Sequence, residues 1–125
     1  KTGKKIVDLL EENGTIFIAV PNNNSHDAKQ YGTFWAALDV PRHLYHFNQD
    51  TIKVFAEKMG LKIVAIEPMK FDSYYVSILS ENYLNPNKGT ISKLINAFIN
   101  GYKSNTWAKK NNNNYSSLLF ILKKK

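Results

Sequence analysis

Cysteine is missing from all 125 residues. That one absence excludes disulfides, iron–sulfur clusters, cysteine nucleophiles and thiolate zinc sites, and it leaves the redox compartment open, with the cytoplasm the expected location. Long apolar runs are missing too. The longest strongly apolar stretch, Ile16 to Val20, falls far short of the roughly 20 residues a membrane helix needs, so no membrane partner is expected. The six glycines, at positions 3, 14, 32, 60, 89 and 101, never fall into a G-x-G spacing, so no glycine-rich phosphate or cofactor loop is present. There is no internal repeat, and the asparagine runs are too short to count as low complexity.

Arginine is nearly absent: lysine carries every positive charge but one. The formal charge of +7 either attracts phosphates, RNA or an anionic surface, or serves solubility. The lysines lie along helix faces and at the two ends, whereas nucleic-acid readers rely on Arg forks, so nucleic acid is not the expected partner. Arg42 stands apart because a planar bidentate fork is the property Lys cannot supply. It reads either as a carboxylate or phosphate clamp or as a structural ion pair with Asp39 or another carboxylate.

What is present suffices for a core. The chain is 43% hydrophobic and 13% aromatic, fits one domain, and can bury roughly two-thirds of its unfolded surface. It begins at Lys1 rather than Met, with no apolar signal segment, and is expected to be a piece of something longer.

Lys4 to Glu12 places Ile6, Val7, Leu9 and Leu10 at helical spacing, with Asn13-Gly14 as a left-handed stop. Thr15 to Val20 is apolar almost throughout and closes at Pro21, the pattern of a strand buried on both faces in a parallel sheet. Residues 22–47 form a long, aromatic-rich connection, too apolar for disorder and too irregular for one element, of the kind that lines sites. Asn48 then caps a helix whose buried stripe is Ile52, Phe55, Ala56 and Met59, with Phe47 and Ile52 as its hydrophobic staple and Gly60 as its stop. Leu61 to Glu67 is a second strand and Asp72 to Glu81 a helix. Thr90 to Lys109 is an amphipathic helix carrying Ile91, Leu94, Ile95, Phe98, Ile99 and Tyr102 at three- and four-residue steps. Tyr115 to Leu122 is a third strand, followed by a frayed Lys tail. The order predicts an α/β layer with at least one parallel crossover.

Several stretches carry a resemblance: E-E-N-G-T-I-F-I-A-V-P-N at Glu11 to Asn22, W-A-A-L-D-V-P-R-H-L-Y-H-F at Trp35 to Phe47, the helix ending at Gly60, F-D-S-Y-Y-V-S at Phe71 to Ser77, and Y-S-S-L-L-F-I-L at Tyr115 to Leu122. Together they resemble the C-terminal half of class I S-adenosylmethionine-dependent methyltransferases, notably bacterial small-molecule members similar to the ubiquinone-biosynthesis O-methyltransferases. The resemblance implies a Rossmann-like fold represented by about three strands, two parallel and the last antiparallel and inserted between them, with flanking helices. It implies one partial domain over 1–125 and a substrate-side loop over 22–47. The parent enzyme would move a methyl group from S-adenosylmethionine to a small-molecule acceptor. The family's glycine-rich loop and ribose-binding acidic residue have no counterpart here, so this part alone is expected to be inactive and to bind the cofactor poorly.

Methyl transfer from a sulfonium mainly requires positioning of the acceptor and exclusion of water, with a general base where the acceptor is a hydroxyl. Imidazole ordinarily titrates near neutral pH, which makes His43 and His46 the candidate catalytic groups beside Arg42. Their spacing would place both on one helical face and also suggests a metal pair, but no third ligand has recognisable spacing, and no metal is expected. A hydrogen-bonding role for either His stays open. Asp39 can orient a neighbouring His or pair with Arg42. Trp35, Tyr45, Tyr74 and Tyr75 either wall an acceptor pocket or pack the core. Asn22, at the tip of the first strand, either meets the cofactor or serves as a turn residue. Two other readings compete: a basic α/β module binding RNA or another anion, betrayed by steep salt dependence, and a noncatalytic fragment that dimerises through the exposed edge of its first strand.

Overall fold

A computed structural model describes residues 2–125. The elements in order are α1 (Thr2–Asp8), β1 (Ile16–Pro21), α2 (His26–Tyr31), two 3-10 turns (Gly32–Phe34 and Ala36–Leu38), α3 (Gln49–Lys58), β2 (Leu61–Pro68), α4 (Asp72–Leu84), α5 (Thr90–Lys110) and β3 (Ser117–Lys124). The three strands form one sheet in the order β1-β3-β2.

Both ladders are antiparallel, with Ile18 opposite Phe120 on one side of β3 and Ile66 opposite Phe120 on the other. β3 is antiparallel and inserted between the other two, as the resemblance implies, whereas hydrogen-bonded parallel pairing of the kind read from the apolar run of β1 is not seen among the described strands. β1 and β2 run in the same direction because each opposes β3, but they are not hydrogen-bonded to each other; among the described residues the one parallel bridge outside the strands joins Asn22 to Phe47. Burial on both faces of β1 is also corrected. Ile16, Ile18 and Val20 face the core while Phe17, 64% exposed, and Ala19 face out, the alternation of a half-covered strand.

Side chains from α3 and the sheet build the main core: Ile52 and Ala56 pack with Leu61, Leu118, Phe120 and Leu122. The start of α3 follows its sequence signals. The Asn48 side chain accepts from Thr51 N at 2.9 Å, Thr51 Oγ1 accepts from Asn48 N at 2.9 Å, and Phe47 packs against the cluster that holds Ile52. Gly60, at φ 69°, provides the left-handed stop. The stop assigned to Gly14 does not exist: α1 ends at Asp8, and the left-handed glycines are Gly32 and Gly60. Pairing carries β3 through Lys124, so the Lys tail belongs largely to the strand.

A second cluster, formed by Ala28, Tyr31, Trp35, Ala37 and Val76, holds α2 and the 3-10 turns against α4. The connection over 22–47 therefore contains regular pieces: Ser25 Oγ caps α2 by accepting from Ala28 N at 3.2 Å. α4 and α5 form a tightly packed pair. α5 inverts its sequence reading. The side it buries consists of Ala97, Asn100, Gly101, Ser104 and Ala108, while Ile91, Leu94, Ile95, Phe98, Ile99 and Tyr102 are all exposed. Small residues win the inner face because they let the two helix axes approach closely.

Candidate functional site

The chain leaves β1 at Pro21 and is pinned there. Asn22 N donates to Ser116 O at 2.8 Å, and Asn23 N donates to Phe47 O at 2.8 Å, which fastens the far end of the connection to the strand tip. Between these anchors, Asp39 ends the second 3-10 turn in the left-handed region, at φ 44°. Asp39 O then accepts from His43 N at 2.9 Å. Residues 40–47 contain no helix, so His43 and His46 do not share a helical face, contrary to the reading from their spacing.

Asp39 is the hub of this segment. Its Oδ1 accepts from Arg42 Nε at 3.0 Å and Nη2 at 2.6 Å, and its Oδ2 lies 3.8 Å from His43 Nδ1. The pairing of Arg42 with Asp39 is thus realised, with the guanidinium side chain 82% exposed and its remaining donors open to solvent. His46 Nε2 lies 2.9 Å from Leu38 O. A carbonyl only accepts, so this contact assigns the proton to Nε2 and leaves Nδ1 as the accepting nitrogen of the neutral ring. His43, Tyr45, His46 and Phe47 surround a cavity of about 10 Å³ together with Pro21 and Ala37, room for one water at most. On the Arg42 side lies an open depression of about 300 Å³, lined by Trp35, Leu38, Asp39, Val40, Arg42 and Tyr83 among others.

The remaining candidates separate. Tyr45 is exposed beside the two imidazoles. Trp35 is a core residue at 2% exposure, its indole Nε1 donating to Asp27 Oδ2 at 2.8 Å, and only its edge reaches the depression. Tyr74 and Tyr75 lie on α4 and line neither space. Tyr74 stacks on Phe98, with ring centroids 5.4 Å apart, and Tyr75 points to solvent. Asn22 is buried, and its amide is fully engaged: Nδ2 donates to Asn114 Oδ1 at 3.1 Å and Tyr115 O at 3.0 Å, and Oδ1 accepts from Asn24 N at 3.1 Å. It ties β1 to the turn before β3 and has no donor left for a ligand. Among the described residues no group of three or more His, Asp or Glu side chains gathers in a way that could hold a metal ion.

Two buried carboxyl groups behind the segment were not legible in the sequence. Asp27 accepts from Trp35, from Ser104 Oγ at 2.7 Å and from Ser116 Oγ at 2.6 Å, joining α2, the 3-10 region, α5 and the start of β3. Glu81 accepts from Tyr31 Oη at 3.1 Å, Asn85 Nδ2 at 3.0 Å and Asn96 Nδ2 at 3.3 Å. Burial pushes the Tyr31 hydroxyl up to about 12, and the neighbouring Glu81 adds to the rise against the opposing hydrogen bond from Asn100. Asp27 follows the Ser25 cap and reads locally as an ordinary first-turn acid. Two of its three donors, Ser104 and Ser116, lie 77 and 89 residues downstream, beyond any local pattern.

Over residues 2–66 the chain matches the family model described as "Methyltransferase domain", a stretch that runs from α1 into β2 and includes the whole Asp39 segment. No curated protein matches the chain.

Proposed function

The chain belongs to the methyltransferase domain family, and on that premise we propose that it forms the acceptor side of an S-adenosylmethionine-dependent methyltransferase that acts on a small hydroxylated molecule. The carrying observation is that Asp39 joins His43 to Arg42, which borders an open depression of about 300 Å³, while His43, Tyr45 and His46 gather against Pro21 at the C-terminal tip of β1, where ligands approach an open α/β sheet.

The residues present do not fit the cofactor itself. Asn22 has spent its amide on Asn114, Tyr115 and Asn24, and the sequence contains no glycine-rich loop. The role assigned to this chain is therefore binding and orientation of the acceptor. Asp39 holds the Arg42 fork with one carboxyl oxygen and stands beside His43 with the other, so one side chain sets the position of both. His46, fixed through Leu38 O, presents a ring whose Nδ1 can take the proton of an acceptor hydroxyl. Arg42 suits an acidic substituent on that acceptor.

The test is a nuclear magnetic resonance titration of the chain with phenol, catechol and hydroxybenzoate probes, run beside a calorimetric titration with S-adenosylmethionine. The expected result is shift changes centred on Arg42, His43, Tyr45 and His46, strongest for hydroxybenzoate, and no micromolar cofactor binding. Probe effects confined to other surfaces would remove the acceptor assignment, and saturable micromolar binding of the cofactor would overturn its division from this chain.

A further inference from the structure

α5 is 21 residues long and carries its largest apolar side chains outward. Ile91, Leu94, Ile95, Phe98, Ile99 and Tyr102 fall on an arc of about 140° at 100° per residue, so they form one continuous stripe rather than scattered exposures. Ile91 is 76% and Phe98 65% exposed. The same helical geometry sets Lys103 and Lys110 along one border of the stripe and Lys109 at its C-terminal end.

Charge along the chain divides at the same place. Glu81 is the last acidic residue, and it is buried. After it come eight lysines and no Asp or Glu, while residues 1–81 hold nine positive and ten negative side chains. The whole excess of +7 thus sits on α5, its approach and β3.

We propose that α5 is an interfacial helix, its apolar stripe seated in the outer layer of an anionic lipid bilayer with the flanking lysines on the headgroups. No described helix is long and apolar enough to cross a membrane, and a helix lying in the plane of the interface needs no span. A second copy of the chain is the poorer occupant, because it would set one acid-free, lysine-bordered face against another. An anionic bilayer supplies both the apolar depth and the opposite charge. Lysine stems lie along the apolar surface while their ammonium groups stay in water, and Tyr102 is of a type that favours this boundary. The proposal rests on the fold and the charge distribution, not on methyl transfer.

The experiment is co-sedimentation of the chain with vesicles of phosphatidylcholine alone and of phosphatidylcholine with phosphatidylglycerol in equal parts, over a series of salt concentrations. Binding is expected to the anionic vesicles, weakening as salt screens the lysines. Ile91→Ser with Ile95→Ser is expected to lower partitioning at least about tenfold with an unchanged circular dichroism spectrum, since both side chains are exposed. Lys103→Gln with Lys109→Gln and Lys110→Gln is expected to lower it and flatten its salt dependence. Indifference to anionic vesicles overturns the proposal, as does undiminished binding by the serine variant. A dimer in sedimentation velocity that the serine variant dissolves, without vesicle binding by the parent chain, assigns the face to a second copy instead.

Discussion

Trp35 donates its indole N–H to Asp27 across 2.8 Å, with neither residue more than 2% exposed. Asp27 also receives the hydroxyls of Ser104 and Ser116, so one carboxyl group satisfies three buried donors from three parts of the chain. Truncating it strands all three, and each orphaned buried donor costs about 1–3 kcal/mol. Asp27→Ala is therefore expected to lose at least about 3 kcal/mol in urea unfolding, with Asp27→Asn intermediate because one acceptor survives. A loss under about 0.5 kcal/mol for the alanine variant would show that water replaces the carboxyl group.

Tyr31 gives the fold an alkaline limit. Its hydroxyl is neutral in the folded chain up to about 12, against an ordinary value of 10.0, with burial the main cause. The folded state therefore keeps a proton that the unfolded state releases first. This contribution is complete below pH 10 and is lost as pH rises toward 12. Stability of the parent chain should fall through that window more steeply than that of Tyr31→Phe, the difference amounting to roughly 2–3 kcal/mol at 1.36 kcal/mol per unit. Near neutral pH the phenylalanine variant should be the less stable of the two, since Glu81 and Asn100 lose a partner. Parallel pH dependences would separate Tyr31 from the alkaline limit.

Local signals were readable and long-range ones were not. The Asn48 cap, the Phe47–Ile52 staple and the Gly60 stop each depend on residues within a few positions, and each stands where the sequence places it. Strand pairing is different in kind. β3 enters the sheet about 50 residues after β2, and its antiparallel place between the other strands came from the resemblance across the chain, since nothing within β1 itself reveals its neighbour or that Phe17 faces out. α5 shows the limit of hydrophobic periodicity: the period gave a helix, but the face that packs is decided by Gly101 and its small neighbours, which admit α4. At the site, Arg42 and Asp39 are three residues apart and their pairing was open to sequence reasoning. The engagement of Asn22 by Asn114 spans 92 residues and was not.

The Arg42–Asp39 pair should matter little for stability. The guanidinium is mostly in water, where such pairs contribute about 0–1 kcal/mol. Arg42→Ala is expected to leave the thermal midpoint within a degree or two while abolishing the preference for hydroxybenzoate over phenol in the probe titration. Arg42→Lys should restore charge without restoring that preference, because a point ammonium lacks the planar fork. If Arg42→Lys binds hydroxybenzoate as well as the parent does, net charge rather than geometry carries the recognition.

Gly101 sets the spacing of the α4–α5 pair. A Cβ built there would stand 2.6 Å from Tyr74 Cδ1 and 3.0 Å from Tyr74 Cα, closer than carbon atoms pack, so one helix or the ring must move. Helix propensity alone favours Gly101→Ala by about 1 kcal/mol. The steric term opposes it, and forced overpacking costs about 1–3 kcal/mol. The ring can swing aside, but the Tyr74 Cα belongs to the α4 backbone and cannot without shifting the helix. The net expectation is a destabilisation of about 1–2 kcal/mol, measurable by urea unfolding. Adding Tyr74→Ala should recover part of it by removing the ring contact, leaving the backbone contact uncorrected. A stabilised Gly101→Ala chain would mean that the helices separate freely, and that the small face of α5 does not fix its distance from α4.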